Sequence, residues 1–594
     1  MVCNVYRRVA SLLFDLGRVE FVNCCRELFL HHPTRLRRRI HFLRLSRAPC
    51  RACCRSLRMI VVSLNSVVFA LAIALGLGRL PSGLAPGLRC SSCTAVAVCY
   101  VVNSKEGDAT DSTRLNRNLL LTISALSLRF CTTLNMESTR QTSELPSSIR
   151  VLTLNCWGLK FISKYRHERL VEIGNHLAKL SPAPEIVGLQ ECWTQKDYLA
   201  IRERTKHFLP YGKFYWSGIF GGGLAILSKW PIEESTMVRY PLNGRPAAFF
   251  RGDWYVGKGV ACARIRLGPA KKDVVEVFTT HLHAPYEAEP NDSYICHRTA
   301  QAWEIAKLMR GAAERGHLVL GLGDFNMIPL SLAHRLIEAH SPVKDVWRVL
   351  HPDSAIGAAI NEAEKARGRP VPSSDECLKE HGTTCDHRYN TWRWNKGDKK
   401  KLLKKKEDTY IDGSEPDHRA KRLDYIFFGG DAEGPASQWS IDSVNVGATE
   451  RHPTLLCSLS DHFSVETTLT RSNHPTNTLP QSTTFLPIET YDQILAMVHK
   501  YDARERKQRR YRLYHFGLEI VIAIGCFIAV WWSPRNFVAF LLMLLSTLGL
   551  SAGVIDGLMG GLFVGSELRA LREFEWEITN ARNMALAAQE ALLK

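Results

Sequence analysis

The sequence predicts an α/β protein in which layers of sheet are covered by helices, followed by a C-terminal two-helix membrane hairpin. Two observations predict it. From Ser148 onward, short apolar runs with strand rhythm outnumber the amphipathic helical stretches between them. Further on come two apolar stretches, 513–532 and 536–565, each long enough for the ~20 residues that cross a bilayer. At 594 residues the chain is also too long for one compact core, so several regions are expected.

Residues 1–135 come first and read poorly as a domain. They hold 19 Lys/Arg against 6 Asp/Glu, and 10 of the 18 cysteines. Their apolar stretch 59–78 follows Arg55 and Arg58 and has the length of a signal anchor. The competing reading starts the working protein at Met136 and leaves this region out. Cys50-x2-Cys53 and Cys90-x2-Cys93 lack the accompanying His/Cys order of a zinc site. Of the net charge of +19, this region supplies +13, leaving +6 on the other 459 residues. The bulk is therefore not a strongly basic nucleic-acid binder, and no nucleic-acid partner is expected. The eight later cysteines are widely spread, as reduced thiols of a cytosol-facing protein would be.

Residues 148–470 read as the catalytic region. SIRVLTLNCW is a buried strand, and RLVEIGNHLAKL a helix with Leu170, Ile173, Leu177 and Leu180 on one face. EIVGLQECW, GLAILSKW, VVEVFTTHLHAP, HLVLGLGDFN, RLDYIFFGG and FSVETTLT are further strands, with a long helix in YICHRTAQAWEIAKLMRGAAERG. Between 351 and 421 the pattern lapses into a polar insertion containing KKKLLKKK, read as a solvated loop or a contact for acidic lipid headgroups. Residues 471–490, rich in Pro, Thr, Ser and Asn, read as a linker before a membrane region at 491–594.

In that region SPRN makes a tight turn between the spans. Gly549, Gly553, Gly557, Gly561 and Gly565 recur every four residues, a smooth ridge suited to close association with another helix. ARERKQRRYR before the first span, and Arg569 and Arg572 after the second, put both ends and the catalytic region on the cytosolic side. Glu519, near the first span's entrance, reaches the interface.

Polar clusters stand at strand ends, where α/β proteins build their sites. Asn155 ends VLTLN, Glu191 ends EIVGLQE, His281 and His283 end VFTTHLH, Asp324 and Asn326 end LGLGDFN, and Asp461 and His462 precede FSVETTLT. Carboxylate and amide oxygens without a Cys/His cage suit a hard cation such as Mg2+. Glu191 is its expected ligand, with Asn155 and Asp324 at or near the metal. Asp461 is expected to orient His462, which takes a proton from an attacking water. His281 and Asn326 are expected to bind phosphoryl oxygens.

The order NCWG, LQE, THLHAP, GDFN, SDH resembles the endonuclease/exonuclease/phosphatase superfamily, the DNase I-like phosphodiesterases. LNGRPAAFFRGDWYVGKGV, THLHAPY and the C-terminal hairpin resemble its neutral sphingomyelinase branch, in particular the fungal inositol phosphosphingolipid phospholipases C. The resemblance implies a four-layer α/β sandwich, Mg2+ dependence, a membrane sphingolipid substrate, and an anionic phospholipid activator such as phosphatidylserine or cardiolipin. It also implies that Asp253 and Lys258 form an activation switch, against the plainer reading of a loop salt bridge. THLHAP offers two histidines; His281, after the Thr of the family's TH pair, is preferred for the phosphate. The expected activity is that of a sphingolipid phospholipase C on a multi-pass protein of the endoplasmic reticulum or mitochondrial membrane. A nuclease, a phosphoinositide phosphatase and a non-catalytic sphingolipid sensor are the competing readings.

Overall fold

The computed structural model describes residues 144–287, 291–431, 435–472 and 485–592. Residues 1–135, with the anchor-length segment, and most of the predicted linker lie outside the described residues.

In chain order the strands are β1 (Ser148–Asn155), β2 (Ile186–Gln190), β3 (Tyr211–Tyr215), β4 (Leu224–Ser228), β5 (Ile232–Arg239) and β6 (Gly259–Arg266). Then come β7 (Val274–His281), β8 (Leu318–Asp324), β9 (Val343–Asp345), β10 (Asp424–Gly429), β11 (Trp439–Gly447) and β12 (Ser464–Arg471). They form two six-stranded sheets, ordered β11-β12-β1-β2-β4-β3 and β5-β6-β7-β8-β10-β9.

Side-chain alternation explains why the two sheets stack. Ile149 and Val151 of β1 face Val275, Val277, Leu320 and Leu322 of the second sheet, in the core between the sheets. The opposite face of β1, Leu152 and Leu154, packs with Leu170, Ile173 and Leu177 of helix α1 (Arg166–Lys179) and Ile201 of α2 (Gln195–Thr205). On the far side, Phe278, Val319, Tyr425 and Phe427 meet α3 (Ile295–Glu314) and α4 (Leu332–His340). Three cores thus separate four layers. The central strands are apolar on both faces, which is why they read as continuous apolar runs.

The chain ends in α5 (Ile488–Val530), α6 (Asn536–Leu558), a π-turn at Met559–Phe563 and α7 (Val564–Leu592). Helices Ile488–Val530 and Asn536–Leu592 are long and apolar enough to cross a membrane. Large apolar side chains such as Val521, Ile524, Phe527, Phe540, Leu544 and Leu548 are exposed along them.

The outer parts of these helices differ from the predicted membrane region. Tyr491, Ile494, Val498, Leu571, Phe574 and Ile578 share one core with Trp303, Ala306 and Met309 of α3. Glu577 accepts from Trp303 Nε1 and Lys307 Nζ, both at 2.6 Å. The amphipathic outer parts are therefore an extra layer on the second sheet's helical side, and the apolar middle is what projects.

The glycine ridge also departs from its predicted phase. A Cβ at Gly553 would stand 2.7 Å from Glu519 Cβ, and one at Gly557 2.9 Å from the Phe516 ring. Gly549 faces the Glu519 carboxylate. These three pack against α5 within the chain, so Glu519 lies against the partner helix instead of simply reaching an interface. Gly561 meets nothing within 4 Å, and Gly560 takes the place facing Arg512. The π-turn holds more residues per turn than an α-helix and so rotates α7 relative to α6.

The 351–421 insertion is more than a solvated loop. Most lysines of KKKLLKKK are exposed, but Leu402 among them is fully buried. Ser373 caps Ser374–Lys379 in a reciprocal capping box with Glu376. The carbonyl of Thr384 accepts from the Phe463 N–H at 2.9 Å, so the insertion grips the segment carrying His462.

Candidate active site

Strand register assembles the site. In the second sheet His281 is level with Asp324 across the parallel pair β7/β8, and Asp324 with Asp424 across the antiparallel pair β8/β10. In the first sheet Asn155 is level with Gln190, one residue before Glu191. His462 precedes β12, which pairs with β1. All these ends open on the same edge of the sandwich, which brings together residues up to about 300 positions apart.

Asn155 Nδ2 donates to Asp324 Oδ2 at 3.0 Å and to Glu191 Oε1 at 3.2 Å, tying the two sheets together. Its Oδ1 accepts the Trp157 N–H at 2.9 Å. Asn155 is therefore a donor linking two carboxylates, and its Oδ1 keeps a second lone pair for the ligand role the sequence suggested. Glu191 has a left-handed backbone, φ 52°, that turns the chain out of β2 at this point.

His462 Nδ1 bonds Asp424 Oδ2 at 2.8 Å, which leaves Nε2 facing Asp324 Oδ2 at 3.9 Å. The expectation that Asp461 orients this imidazole is corrected: the carboxylate comes from β10. Neighbours in an extended segment point to opposite sides, so Asp461 and His462 diverge. Asp424 Oδ2 also accepts from Thr384 Oγ1 of the insertion at 2.6 Å. Sequence reading passed over Asp424 and Thr384. Asp424 carried the same signal as the rest, a carboxylate at a strand end, hidden inside RLDYIFFGG.

Burial alone would lower the His462 pKa, but Asp424, with Cys385 and Asp324, outweighs it and holds the imidazole well above its ordinary range. Desolvation pushes Asp324 up to about 7, against the His462 charge and with help from Asp424. Asp461 rises to about 6 for the same first reason, opposed by His462 and Arg169. Buried carboxylates raised in this way are short of positive charge.

His281 Nε2 is 3.6 Å from Asp324 Oδ2 and 4.0 Å from Glu191 Oε1. Its Nδ1 has no hydrogen-bond partner among the described residues. Burial, then the Lys258 and His462 charges, keeps it far below its usual pKa and neutral. Asn326 has φ 47°, donates from its backbone N–H to Asp324 Oδ1 at 2.9 Å, and from Nδ2 to Leu282 O at 3.1 Å. His283 is fully buried, with Nε2 2.8 Å from Asn243 O and Nδ1 3.7 Å from Asp253 Oδ1. The two histidines part because β7 ends at His281, so strand alternation no longer holds beyond it.

Asp253 and Lys258 form no salt bridge in this structure. Lys258 Nζ donates to the carbonyls of His281 and Leu282 at 3.2 Å each, while Asp253 receives the Tyr286 hydroxyl at 2.9 Å. Trp254, beside Asp253, meets Phe563 of the π-turn at 4.8 Å between centroids, and Tyr255 OH lies 3.4 Å from Met559 Sδ. The loop carrying these residues thus rests on the C-terminal helices.

Arg169, fully buried, was also missed. Its guanidinium donates to the carbonyls of Cys156, Trp157, Lys164 and Leu459, bracing the 156–164 loop against the His462 segment.

Asp324, Asp424 and His462 place ligand atoms within 4.8 Å of one another. Asp424 Oδ2 is committed to His462 and Thr384, while its buried Oδ1 has no hydrogen-bond partner among the described residues. The trio thus orients the imidazole and retains a free carboxylate oxygen for a cation. Glu191 and Asp324, joined through Asn155, with Asp461 nearby, have the oxygen chemistry that fits a hard divalent cation. The eight cysteines among the described residues are all free.

A family model described as "Endonuclease/Exonuclease/phosphatase family" matches residues 152–462. The chain is 39% identical over 436 residues to an inositol phosphosphingolipids phospholipase C of Schizosaccharomyces pombe, covering 73% of this chain and 94% of that one. A Saccharomyces cerevisiae protein of the same name is 32% identical over 479 residues, covering 73% and 90%. Human sphingomyelin phosphodiesterase 2 is 35% identical over 199 residues, 34% of this chain and 46% of that one. Among solved structures, sphingomyelinase C from Streptomyces griseocarneus aligns with TM-score 0.35 and 18% identity, over 55% of this chain and 100% of that chain.

Proposed function

Because the chain belongs to the endonuclease/exonuclease/phosphatase family and is a phosphoric diester hydrolase, we propose that it is a Mg2+-dependent phospholipase C of membrane sphingolipids. Its substrates are inositol phosphosphingolipids or sphingomyelin, and its products are ceramide and a phosphorylated headgroup. The observation that carries this reading is the His462–Asp424 pair, set beside the Glu191–Asn155–Asp324 bridge.

In this reading the neutral form of His462 is the one that acts. It is the minor form, because Asp424, Cys385 and Asp324 outweigh burial and hold the imidazole protonated. Its Nε2 takes a proton from water, and the water oxygen forms the new bond to phosphorus. The bond from phosphorus to the ceramide oxygen breaks, and that oxygen leaves as ceramide after taking a proton from solvent, to which His462 returns the one it accepted. Asp424 holds the imidazole and steadies its positive charge. His281, neutral and facing both carboxylates, and Asn326 would bind the phosphoryl oxygens. Glu191 and Asp324 would hold the Mg2+, which supplies charge stabilisation at the phosphoryl and leaving oxygens.

The hairpin keeps the site near its substrate and so raises effective concentration. The basic flanks of the spans put the catalytic region on the cytosolic face, and the same residues would meet an anionic activator such as phosphatidylserine.

The test incubates the detergent-solubilised full chain and its His462→Ala variant with inositol phosphorylceramide or sphingomyelin, with and without Mg2+, in phosphatidylserine micelles. Mg2+-dependent ceramide release is expected, falling by about 10²-fold or more in the variant. No ceramide from either lipid by a folded protein would sink the reading.

A further inference from the structure

Beside Asp461 a pocket of about 320 Å³ opens between the 156–164 loop and the insertion. Trp157 and Trp392 stand against each other in its wall, ring centroids 4.6 Å apart, with the Arg169 guanidinium over Trp157 at 4.6 Å. The wall is continuous with the catalytic segment. Trp392 Nε1 donates to Ser458 O at 2.9 Å and Asn390 Nδ2 to Ser460 O at 3.0 Å, four and two residues before His462.

The charges around the pocket are unequally satisfied. Arg393 is paired with Asp417 at 2.7 Å and Asp386 with Lys421 at 2.9 Å, so each is neutralised outside the pocket. Asp461, Lys164 and Lys399 also line it, and none of the three is in an ion pair among the described residues, so ammonium outnumbers carboxylate there by two to one. Lys399 Nζ donates only to the Trp392 carbonyl, at 2.9 Å. Burial and then the Lys164 charge depress the Lys399 pKa.

This excess of ammonium over carboxylate beside aromatic faces selects for chemistry. An ammonium is a donor only, so it is matched by hydroxyl and phosphate oxygens. A quaternary amine would be repelled, although aromatic faces alone would attract it. Resting on the phospholipase C reading above, we propose that this pocket is the headgroup subsite and takes a phosphorylated polyol ring, with Lys164 and Lys399 donating to its oxygens and Trp157 and Trp392 bounding its faces. The insertion, through Trp392 and Lys399, is then the element that sets headgroup preference.

The test compares the detergent-solubilised full chain with a Lys164→Glu/Lys399→Glu variant and with Trp392→Phe, each checked for an unchanged melting transition. Two readouts are taken. The first is the ratio of kcat/KM for inositol phosphorylceramide over sphingomyelin, expected to fall by about tenfold or more in the charge-reversed variant. The second, free of turnover, is titration with myo-inositol 1-phosphate or phosphocholine followed by tryptophan fluorescence. The wild-type chain is expected to bind the inositol phosphate more tightly, and the double variant to lose that preference. An unchanged ratio with equal binding of both ligands would overturn the subsite while leaving ceramide release intact. Absent ceramide release with lysine-dependent inositol phosphate binding would instead remove the phospholipase C reading and keep the subsite.

Discussion

At the level of single residues, the finding with most consequence is that His462 answers to Asp424 and not to its neighbour Asp461. Asp424 Oδ2 is 2.8 Å from Nδ1, and a second bond from Thr384 holds the carboxylate in place. Asp461 faces the other way, toward Glu191, Arg169 and the pocket. The two carboxylates should therefore fail differently. Asp424→Asn keeps the shape but cannot steady a protonated imidazole, and kcat is expected to fall by about 10²–10⁴-fold. Asp461→Asn is expected to cost less in kcat and to show mainly as a higher Mg2+ concentration for half-maximal activity. Both are read from ceramide release across a Mg2+ titration. Equal loss of kcat in the two variants, with the Mg2+ requirement unmoved, would reject this division of roles.

Among the elements, the C-terminal helices do two jobs along one length. At 43 residues, α5 runs about 65 Å, over twice the ~30 Å hydrocarbon thickness of a bilayer. Its outer part packs on α3 and its inner part carries the apolar face. Close packing with α6 depends on glycine where no Cβ fits: Gly553 against Glu519 and Gly557 against Phe516. Gly553→Leu is expected to destabilise the hairpin by about 1–3 kcal/mol through overpacking. Gly561→Leu, with open space around it, is expected to change little. Unfolding of the detergent-solubilised chain in a graded denaturing detergent measures both. A similar shift for both glycines would mean the π-turn does not break the ridge.

Across the whole molecule, the catalytic sandwich and the C-terminal helices share one core, and a buried histidine, His297, and a half-buried one, His340, lie along it. Desolvation lowers His297 to about 3, opposed by Glu505, and lowers His340 to about 3, helped by Arg310. His340 stacks on Trp303 at 3.9 Å, and His297 Nε2 lies 2.8 Å from Glu567 Oε1 of α7. The unfolded chain binds these protons near pH 6.5 and the folded chain only near 3. Each group therefore contributes stability that is whole above about pH 6.5 and is lost as pH falls toward 3. Glu567, raised by burial and by Glu505, works in the opposite sense, so a comparison between variants isolates the histidine. Between pH 7 and pH 5 the His340→Gln variant is expected to lose about 2 kcal/mol less stability than the wild-type chain. Melting curves at the two pH values decide it, and parallel losses would show that His340 titrates normally in the fold.

Local periodicity by itself determined β1, β2, β4, β7, β8, β10 and β12, helices α1 and α3 and the two apolar stretches, because those signals lie within a dozen neighbouring residues. Strands β3, β5, β6, β9 and β11 carry too few apolar residues or too little alternation to read this way. Polar residues at the strand ends were legible for the same reason, and Asn155, Glu191, His281, Asp324 and His462 do converge. Only the tertiary structure decided who touches whom. Inter-strand register put Asp424 opposite Asp324, and chain direction turned Asp461 away from His462. The fold of the insertion delivered Thr384, Trp392 and Lys399 to the site from a stretch whose composition reads as loop. Packing also split the C-terminal helices between the domain and their apolar middle. These outcomes depend on contacts between segments tens to hundreds of residues apart, and a sequence pattern encodes the faces that will be buried, not the partners that bury them.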